Sequence, residues 1–315
     1  MTVGVPGSVE HWQEQLGAHL YIAERSLATA IFLSVKLKKP LFVEGEAGVG
    51  KTEIAKVLAE VLQRPLIRLQ CYEGLDVSSA LYEWNYAEQI LQIRIWEATG
   101  QLAGDSRPDG SRHGIKDIFT TDFLLKRPLL QAVDQADGRA PVLLIDELDR
   151  ADEEFEAFLL ELLAEFQVTV PELGTIRAPE PPVVVITSNR TREIHDALKR
   201  RCLYHWIDYP AFDKEYAIVR NRLPHIEGEL AAEVCRFMER VRTEDFLKRP
   251  GIAETLDWAA ALLALNRHTL DEEAVEATLG CIFKNQQDIL LFRDVVWGDQ
   301  AQRADYLRQV KEAMC

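Results

Sequence analysis

Residues 45–52 read Gly-Glu-Ala-Gly-Val-Gly-Lys-Thr, a glycine-rich stretch that matches G-x-x-x-x-G-K-[ST] at every fixed position. An apolar run of strand type, residues 40–44, precedes it, and residues 53–60 follow with apolar side chains at helical spacing. Strand, glycine loop and helix in this order indicate a phosphate-binding loop, because the glycines let several N–H groups and a helix N-terminus point at one anion. The alternative is a glycine-rich turn that only caps a helix.

The motif also predicts a role for its last two side chains. Lys51 would reach the β- and γ-phosphates of a nucleoside triphosphate, and the Thr52 hydroxyl would ligate Mg²⁺. The residues predicted to bind the nucleoside triphosphate are Gly45, Glu46, Ala47, Gly48, Val49, Gly50, Lys51, Thr52 and Glu53. A nucleoside triphosphate and Mg²⁺ are therefore the expected cofactors.

A second motif narrows the chemistry to hydrolysis. Residues 142–147 read Val-Leu-Leu-Ile-Asp-Glu, an apolar run that ends in two carboxylates. A parallel strand would deliver both to its carboxyl end, where α/β sheets bind ligands. Asp146 would hold Mg²⁺ through its water shell, and Glu147 would polarise the attacking water. The alternative is an acidic start to the next helix, which the helix dipole favours.

Polar residues after a third strand complete the candidate set. Asn189 follows the run 183–187 and could orient water, although asparagine after a strand is usually a turn residue. Arg200 and Arg201 end a short helical segment and could be dipole partners only. Arginines supplied across a subunit boundary can instead raise the rate of phosphoryl transfer by about 10³–10⁵.

Size and composition describe a globular chain. The 315 residues suffice for one large or two ordinary domains, and 47% are hydrophobic and 28% charged. The longest apolar stretches fall short of the roughly 18 residues that span a bilayer. The first seven residues show no secretory pattern, so a cytoplasmic location is expected. The cysteines are too scattered for a zinc site or a disulfide framework; they are Cys71, Cys202, Cys235, Cys281 and Cys315.

The net charge of −15 argues against general affinity for nucleic acid, because such binding depends on neutralising phosphates. Two basic clusters are present, at residues 36–39 and 199–201. A DNA-directed translocase is therefore less favoured than a protein-directed ATPase. A nucleotide-gated scaffold that hydrolyses little is disfavoured by the carboxylate pair.

Strands alternating with helices predict an α/β layered fold with a central parallel sheet. We place the α/β nucleotide-binding core at residues 1–210 and a small all-helical lid domain at 211–315. The expected elements are helix 8–38, strand 65–70, an exposed loop at 103–111, helix 121–137, strand 141–145, helix 152–166, a hairpin at 167–181 and strand 183–187. Breaks within the helical region are expected near Pro224, at 249–251 and at 266–268.

The ordered set of motifs resembles the AAA+ ATPases and, more narrowly, the MoxR group. Residues 45–53 and the stretch Leu-Gln-Cys-Tyr-Glu-Gly at 69–74 are similar to the branch linked to carbon monoxide dehydrogenase maturation. Glu-Trp-Asn-Tyr at 83–86 and Leu-Tyr-His-Trp-Ile-Asp at 203–208 strengthen that resemblance. The similarity covers nearly the whole chain.

The resemblance implies a homo-oligomeric ring, a hexamer, in which Arg200 and Arg201 complete the neighbouring subunit's site. It also implies ATP-driven remodelling or maturation of a client protein, plausibly a metalloenzyme, with a von Willebrand factor A-type partner. MoxR proteins carry an insert that we place at residues 75–100. Its Trp84 and Tyr86 are candidate client contacts, and the alternative is that they pack in the chain's own core.

One departure from the family pattern concerns the lid. Many AAA+ lids begin a helix with an arginine that contacts the γ-phosphate. The comparable stretch here, residues 251–256, has Glu254 instead, and Arg249 lies just before it. No lid arginine is assigned.

Overall fold

The computed structural model describes residues 5–99, 115–135 and 138–312; the loop expected at 103–111 and Cys315 lie outside this range. The strands of the described chain are β1 Leu41–Gly45, β2 Leu66–Gln70, β3 Tyr82–Trp84, β4 Leu124–Lys126, β5 Val142–Asp146, β6 Gln167–Val170, β7 Gly174–Arg177, β8 Val183–Ser188 and β9 Leu203–Ile207. Five of them form the central sheet in the order β2-β5-β8-β1-β9. The fold is thus the predicted α/β P-loop fold with a central parallel sheet.

The sheet aligns the strand ends that carry the carboxylates. Strand β5 pairs in parallel with β2, Gln70 opposite Asp146, and with β8, Ile145 opposite Ile186. All five residues of β5 are buried, which explains its unbroken apolar sequence. Parallel pairing brings the carboxyl ends of β2, β5 and β8 to one edge of the sheet.

The helices of the described chain are α1 Val9–Ala18, α2 Arg25–Leu37, α3 Lys51–Leu62, α4 Val77–Leu81, α5 Tyr86–Ala98, α6 Pro128–Val133, α7 Glu153–Glu165, α8 Asp196–Lys199, α9 Phe212–Arg222, α10 Gly228–Val241, α11 Ile252–Ala264, α12 Glu272–Ile282, α13 Gln286–Leu291 and α14 Gln300–Glu312. A π-helical turn, Phe292–Trp297, follows α13. Everything described after β9 is helical or connecting, with breaks where they were predicted. In the described part of the chain, every helix falls short of the length and apolar character that crossing a membrane requires.

The described chain divides into two compact units. The first contains Thr29–Val43 and Leu58–His205, and the second contains Pro6–Ala28, Glu44–Val57 and the chain from Trp206 onwards. The core of the first unit packs β5 and β8 against α6 and α7. The core of the second unit is aromatic and is built around Phe237. The domain boundary near residue 210 stays a prediction.

Residues 8–38 are largely helical, as predicted, but they form two helices with a break between them. Helix α1 ends at Ala18, where Leu20 adopts a left-handed φ of +61° and the Tyr21 N–H donates to the Leu16 carbonyl at 2.9 Å. This pair of features is a helix stop that satisfies the last carbonyls. The apolar spacing continues across the stop, so the sequence gives no sign of it.

The helix expected over 121–137 is wrong. Residues 121–123 form a 3-10 turn, and Leu124–Lys126 then pairs antiparallel with Tyr82–Trp84. Helix α6 begins only at Pro128, because proline lacks the N–H that a first helical residue leaves unpaired. Residues 136 and 137 lie outside the described range.

The same pairing settles the position of one aromatic residue. Trp84 is buried and stacks edge-on with Phe119, with 5.1 Å between ring centroids. Trp84 therefore belongs to the core of the first unit, and its assignment as a client-contacting residue is wrong. Tyr86, two residues on, is exposed.

Candidate functional site

The phosphate loop connects β1 to α3 in the second unit. Gly48 and Gly50 have φ of +76° and +91°, the left-handed region that glycine adopts without strain. Lys51 is buried, and its Nζ donates to the carbonyls of Gly45 at 2.8 Å and Glu46 at 2.5 Å. The geometry is a backbone cradle at a helix N-terminus, with an ammonium group folded over it. Such a cradle fits phosphate oxygens.

The other loop residues differ in exposure. Gly45 and Val49 are buried, Glu46, Ala47 and Gly48 are exposed, and Gly50, Thr52 and Glu53 are half-buried. Glu53 accepts from Arg222 at 2.6 Å and from Lys56 at 3.0 Å. Burial raises the pKa of Glu53, but these two cations outweigh it and the pKa lies below its usual value. Glu53 is therefore ionised and held by Arg222, a contact that the sequence did not suggest.

Gly45 is needed because another strand passes close to it. A Cβ at Gly45 would overlap the carbonyl oxygen of Ile207. We expect Gly45→Ala to lower the free energy of unfolding by about 1–3 kcal/mol, the usual cost of overpacking. Urea denaturation of both proteins measures the change.

The matched control for that change is Gly17→Ala in α1. A Cβ there meets nothing within 4 Å, and alanine favours a helix more than glycine does. This variant should be as stable as the parent or slightly more so. Equal stability of Gly45→Ala and Gly17→Ala would contradict the close approach to Ile207.

The N-terminus of α11 packs directly on the phosphate loop within the second unit. The Ile252 N–H donates to the Gly48 carbonyl at 3.0 Å. A Cβ on Gly251 would lie 2.8 Å from the Gly48 Cα, so only glycine allows this approach. Glu254 accepts from the Gly251 N–H at 2.9 Å, the half of a capping box that a glycine N-cap allows. The segment predicted to begin the lid, which lacks an arginine, thus lies against the phosphate loop with its backbone and with Glu254.

A buried ion pair supports the α11 N-terminus. Arg242 donates to both carboxylate oxygens of Glu215, at 2.6 and 2.7 Å, and to the Pro250 carbonyl at 2.7 Å. Thr255 donates to Glu215 at 2.6 Å and accepts from Arg242 at 2.9 Å. Both charged side chains are buried. These residues come from three helices, which is why the sequence pattern did not reveal them.

We expect Arg242→Met to lower the free energy of unfolding by about 3–5 kcal/mol, because it leaves the Glu215 carboxylate buried without its partner. Arg308→Met is the control, since the Arg308–Asp305 pair lies on the surface of α14 and should contribute little. Denaturant titration measures both variants. Similar midpoints for the two would contradict a supporting role for Arg242.

The first unit carries the carboxylate pair at the end of β5. Asp146 is buried, and its Oδ2 accepts from Arg68 Nε at 3.0 Å and Nη2 at 2.6 Å. Its Oδ1 accepts from the Thr187 hydroxyl at 2.6 Å. Arg68 and Thr187 come from the two strands that flank β5. The Asp146 carboxylate is thus already paired with a cationic group.

Glu147 turns out of the strand with a left-handed φ of +56°. Its Oε2 accepts from Gln70 Nε2 at 3.0 Å and from Arg150 at 3.3 Å. Its Oε1 lies 3.4 Å from the Asn189 amide nitrogen. The structure therefore brings Asp146, Glu147 and Asn189 together, with Gln70 and Arg150 as contacts that the sequence analysis missed.

The chain after β8 is fixed by two buried carboxylates. Asp149 accepts from the Asn189 N–H at 3.1 Å and from the Thr191 N–H at 2.9 Å. Glu156, on α7, accepts from the His195 N–H at 2.8 Å and from the Arg192 guanidinium. Residues 189–195 are thus held at both ends, and this segment leads directly into α8.

Arg200 and Arg201 follow α8 and are both exposed. The Arg201 guanidinium donates to the Leu160 carbonyl of its own chain. It also lines a cavity of about 370 Å³ with Glu161 and Glu165. Arg201 is therefore engaged within the subunit.

Each unit carries oxygen atoms of the kind that Mg²⁺ accepts. Carboxylate and hydroxyl oxygens, as on Asp146 and Thr52, are the ligands that Mg²⁺ prefers. The described residues contain no group of three or more His, Cys, Asp or Glu placed to hold a metal by themselves. Burial, with added charge from Asp146, Asp149 and Glu147, raises the pKa of Cys71 to about 12. Cys71 is accordingly a poor nucleophile, although it lies beside the carboxylates.

Known proteins share sequence and architecture with this chain. The family model "AAA domain (dynein-related subfamily)" matches residues 40–202. An uncharacterised Staphylococcus epidermidis protein is 24% identical over 245 residues, which are 76% of this chain and 80% of that protein. A Staphylococcus saprophyticus protein, also uncharacterised, is 23% identical over 238 residues, covering 74% and 78% of the two chains.

Among solved structures, the Thermotoga maritima RuvB Holliday junction branch migration motor is similar at a TM-score of 0.45 and 14% identity, covering 97% of this chain and 85% of that one. A mutant of the same RuvB gives a TM-score of 0.48 at 15% identity, covering 95% and 85%. The family match spans both nucleotide motifs, the loop at 45–52 and the carboxylates at 146–147. The chain belongs to the AAA domain family, dynein-related subfamily, and is an ATPase.

Proposed function

We propose that this chain binds ATP with Mg²⁺ at the loop 45–53 and hydrolyses it with the groups at the ends of β5 and β8. The observation that carries the proposal is the Glu147 carboxylate, held between Gln70 and Asn189 one residue from the buried Asp146. A carboxylate fixed in this way can accept a proton from water. The Thr52 hydroxyl and Asp146 would hold Mg²⁺, which supplies positive charge to the phosphates. Asn189 would orient the water.

We further propose that the chain works as a homo-oligomeric ring, a hexamer, in which a guanidinium group completes the neighbour's site. Arg200 is the better candidate for that group. Arg201 is engaged with Leu160 of its own subunit, whereas Arg200 is exposed at the end of α8. The resemblance to MoxR proteins supports the ring itself.

The proposed cellular role is remodelling or maturation of a client protein with help from a von Willebrand factor A-type partner. A molybdenum-containing carbon monoxide dehydrogenase is the client that the branch motifs favour. Helix α5 supports a protein client, because it exposes four large apolar side chains. These are Tyr86, Ile90, Leu91 and Ile95, which are 45–61% exposed. Large apolar side chains left exposed on one helix favour binding to another protein.

The proposed maturation role is tested by measuring ATP turnover with and without the cofactor-free form of a molybdenum-containing carbon monoxide dehydrogenase. The dehydrogenase should accelerate turnover, and the double variant Ile90→Ser, Leu91→Ser should lose the acceleration while keeping its basal rate. Leu247→Ser, at an exposed leucine of the second unit, is the control and should respond normally. Equal stimulation of all three proteins would reject α5 as the client surface.

A DNA-directed translocase is the alternative. The net charge of −15 disfavours it, because phosphate contacts dominate binding to DNA. Duplex DNA added at fixed, stated salt concentration should leave ATP turnover unchanged. Strong stimulation by DNA would favour the alternative.

A further inference from the structure

Glu254 brings negative charge to the phosphate loop. Its Oε2 would lie 3.1 Å from a Cβ built on Gly48, the central glycine of the loop, and the side chain is half-buried. The same oxygen accepts from the Gly251 N–H at 2.9 Å, which fixes the carboxylate in place. The anionic group therefore has a defined position beside the cradle.

The segment that carries Glu254 is packed closely on the loop. The Ile252 N–H is bonded to the Gly48 carbonyl, and a Cβ on Gly251 would lie 2.8 Å from the Gly48 Cα. Arg242 donates to the preceding Pro250 carbonyl and is paired with Glu215. These contacts hold the carboxylate beside the loop.

Other charged groups lie around this end of α11. Two carboxylates and two guanidinium groups act on the hydroxyl of nearby Tyr209. Burial raises the pKa of Tyr209 most; Glu46 and Glu254 raise it further, and Arg242 and Arg249 lower it. Arg242 is paired with Glu215, so the cations that offset Glu46 and Glu254 include exposed Arg249 and Lys51, whose Nζ is bonded to the Gly45 and Glu46 carbonyls.

We propose that Glu254 sets the nucleotide preference of the loop by repelling phosphate charge, so that it weakens binding of ATP more than binding of ADP. The inference rests on the proposed binding of ATP at residues 45–53. Like charges within about 10 Å repel appreciably in a partly buried environment, and the penalty grows with the charge of the ligand. Glu254 thus acts opposite to an arginine at the start of a lid helix.

The test compares Glu254→Gln with the parent chain by titration calorimetry, using ADP and a non-hydrolysable ATP analogue, each with Mg²⁺. Glutamine can still accept from the Gly251 N–H, so the variant should fold normally. We expect its affinity for the ATP analogue to rise by about tenfold and its affinity for ADP to rise less. Salt screens the repulsion between charges. Raising the salt concentration from about 50 to about 300 mM should therefore shrink the difference between the affinities of the parent and the variant.

Two further variants make the result decisive. Glu229→Gln removes an exposed carboxylate from the first turn of α10 and should change neither affinity. Arg249→Gln removes one of the offsetting cations and should weaken binding, most strongly for the ATP analogue. Unchanged affinities in Glu254→Gln, or equal changes for ADP and the ATP analogue, would overturn the inference. Absence of nucleotide binding in the parent chain would instead reject the proposed function.

Discussion

Replacing Glu147 with glutamine should reduce ATP turnover by about 10²–10⁴ while leaving ATP binding intact, because the variant loses the base that accepts a proton from water. Glutamine has nearly the same shape and can still accept a hydrogen bond from Gln70 or Asn189, so the strand end should keep its geometry. Steady-state phosphate release measures turnover, and a fluorescent ATP analogue measures binding.

The control for this experiment is Glu154→Gln, at an exposed glutamate in the first turn of α7. It removes the same charge a short distance along the chain and should hydrolyse ATP at the parental rate. Turnover in Glu147→Gln that equals the parental rate would reject the assignment of this residue as the base. Loss of ATP binding together with turnover would point to a structural role instead.

Replacing Arg200 with alanine should reduce turnover by about 10³–10⁵, the contribution of an arginine supplied in trans. A subunit with Arg200→Ala keeps its own phosphate loop and carboxylates but supplies no arginine to the neighbouring subunit's site. Mixing it with Lys51→Ala subunits, which keep Arg200 and lack the loop lysine, should therefore restore part of the activity. Phosphate release across a series of mixing ratios measures the recovery.

Arg201→Ala is the matched comparison, because it removes an equal charge from the adjacent position. Its guanidinium contacts the Leu160 carbonyl of its own chain, so its loss should affect the subunit itself. We expect a smaller loss of turnover and no rescue by Lys51→Ala subunits. Rescue of Arg201→Ala but not of Arg200→Ala would reverse the two assignments, and rescue of neither would contradict shared sites.

Local patterns in the sequence were sufficient for the nucleotide motifs and most of the central sheet. The loop at 45–52 depends on glycine positions within eight residues, and the strand ending at Asp146 is an unbroken apolar run. The meeting of Glu147 and Asn189 also followed from local signals, since the carboxyl ends of parallel strands share one edge. The roles of these residues in hydrolysis stay predictions.

Contacts between distant residues could not be read in this way. Arg68 lies on an edge strand, where a basic side chain is expected to face solvent. It nevertheless binds Asp146, 78 residues away. Arg242 and Glu215 are 27 residues apart and carry no motif. The close approach of Gly251 to Gly48 depends on how α11 packs, which periodicity does not reveal. The end of α1 near Leu20 was not predicted for a different reason. The local apolar spacing continues across it without a break.

The two buried carboxylates that hold residues 189–195 join Asn189, proposed to orient water, to α8, which directly precedes Arg200. Asp149 holds the first end and Glu156 the last. In the proposed ring, a displacement of Asn189 would be passed along this connection towards Arg200. Asp149 and Glu156 would then help to set the order in which the proposed protomers hydrolyse ATP.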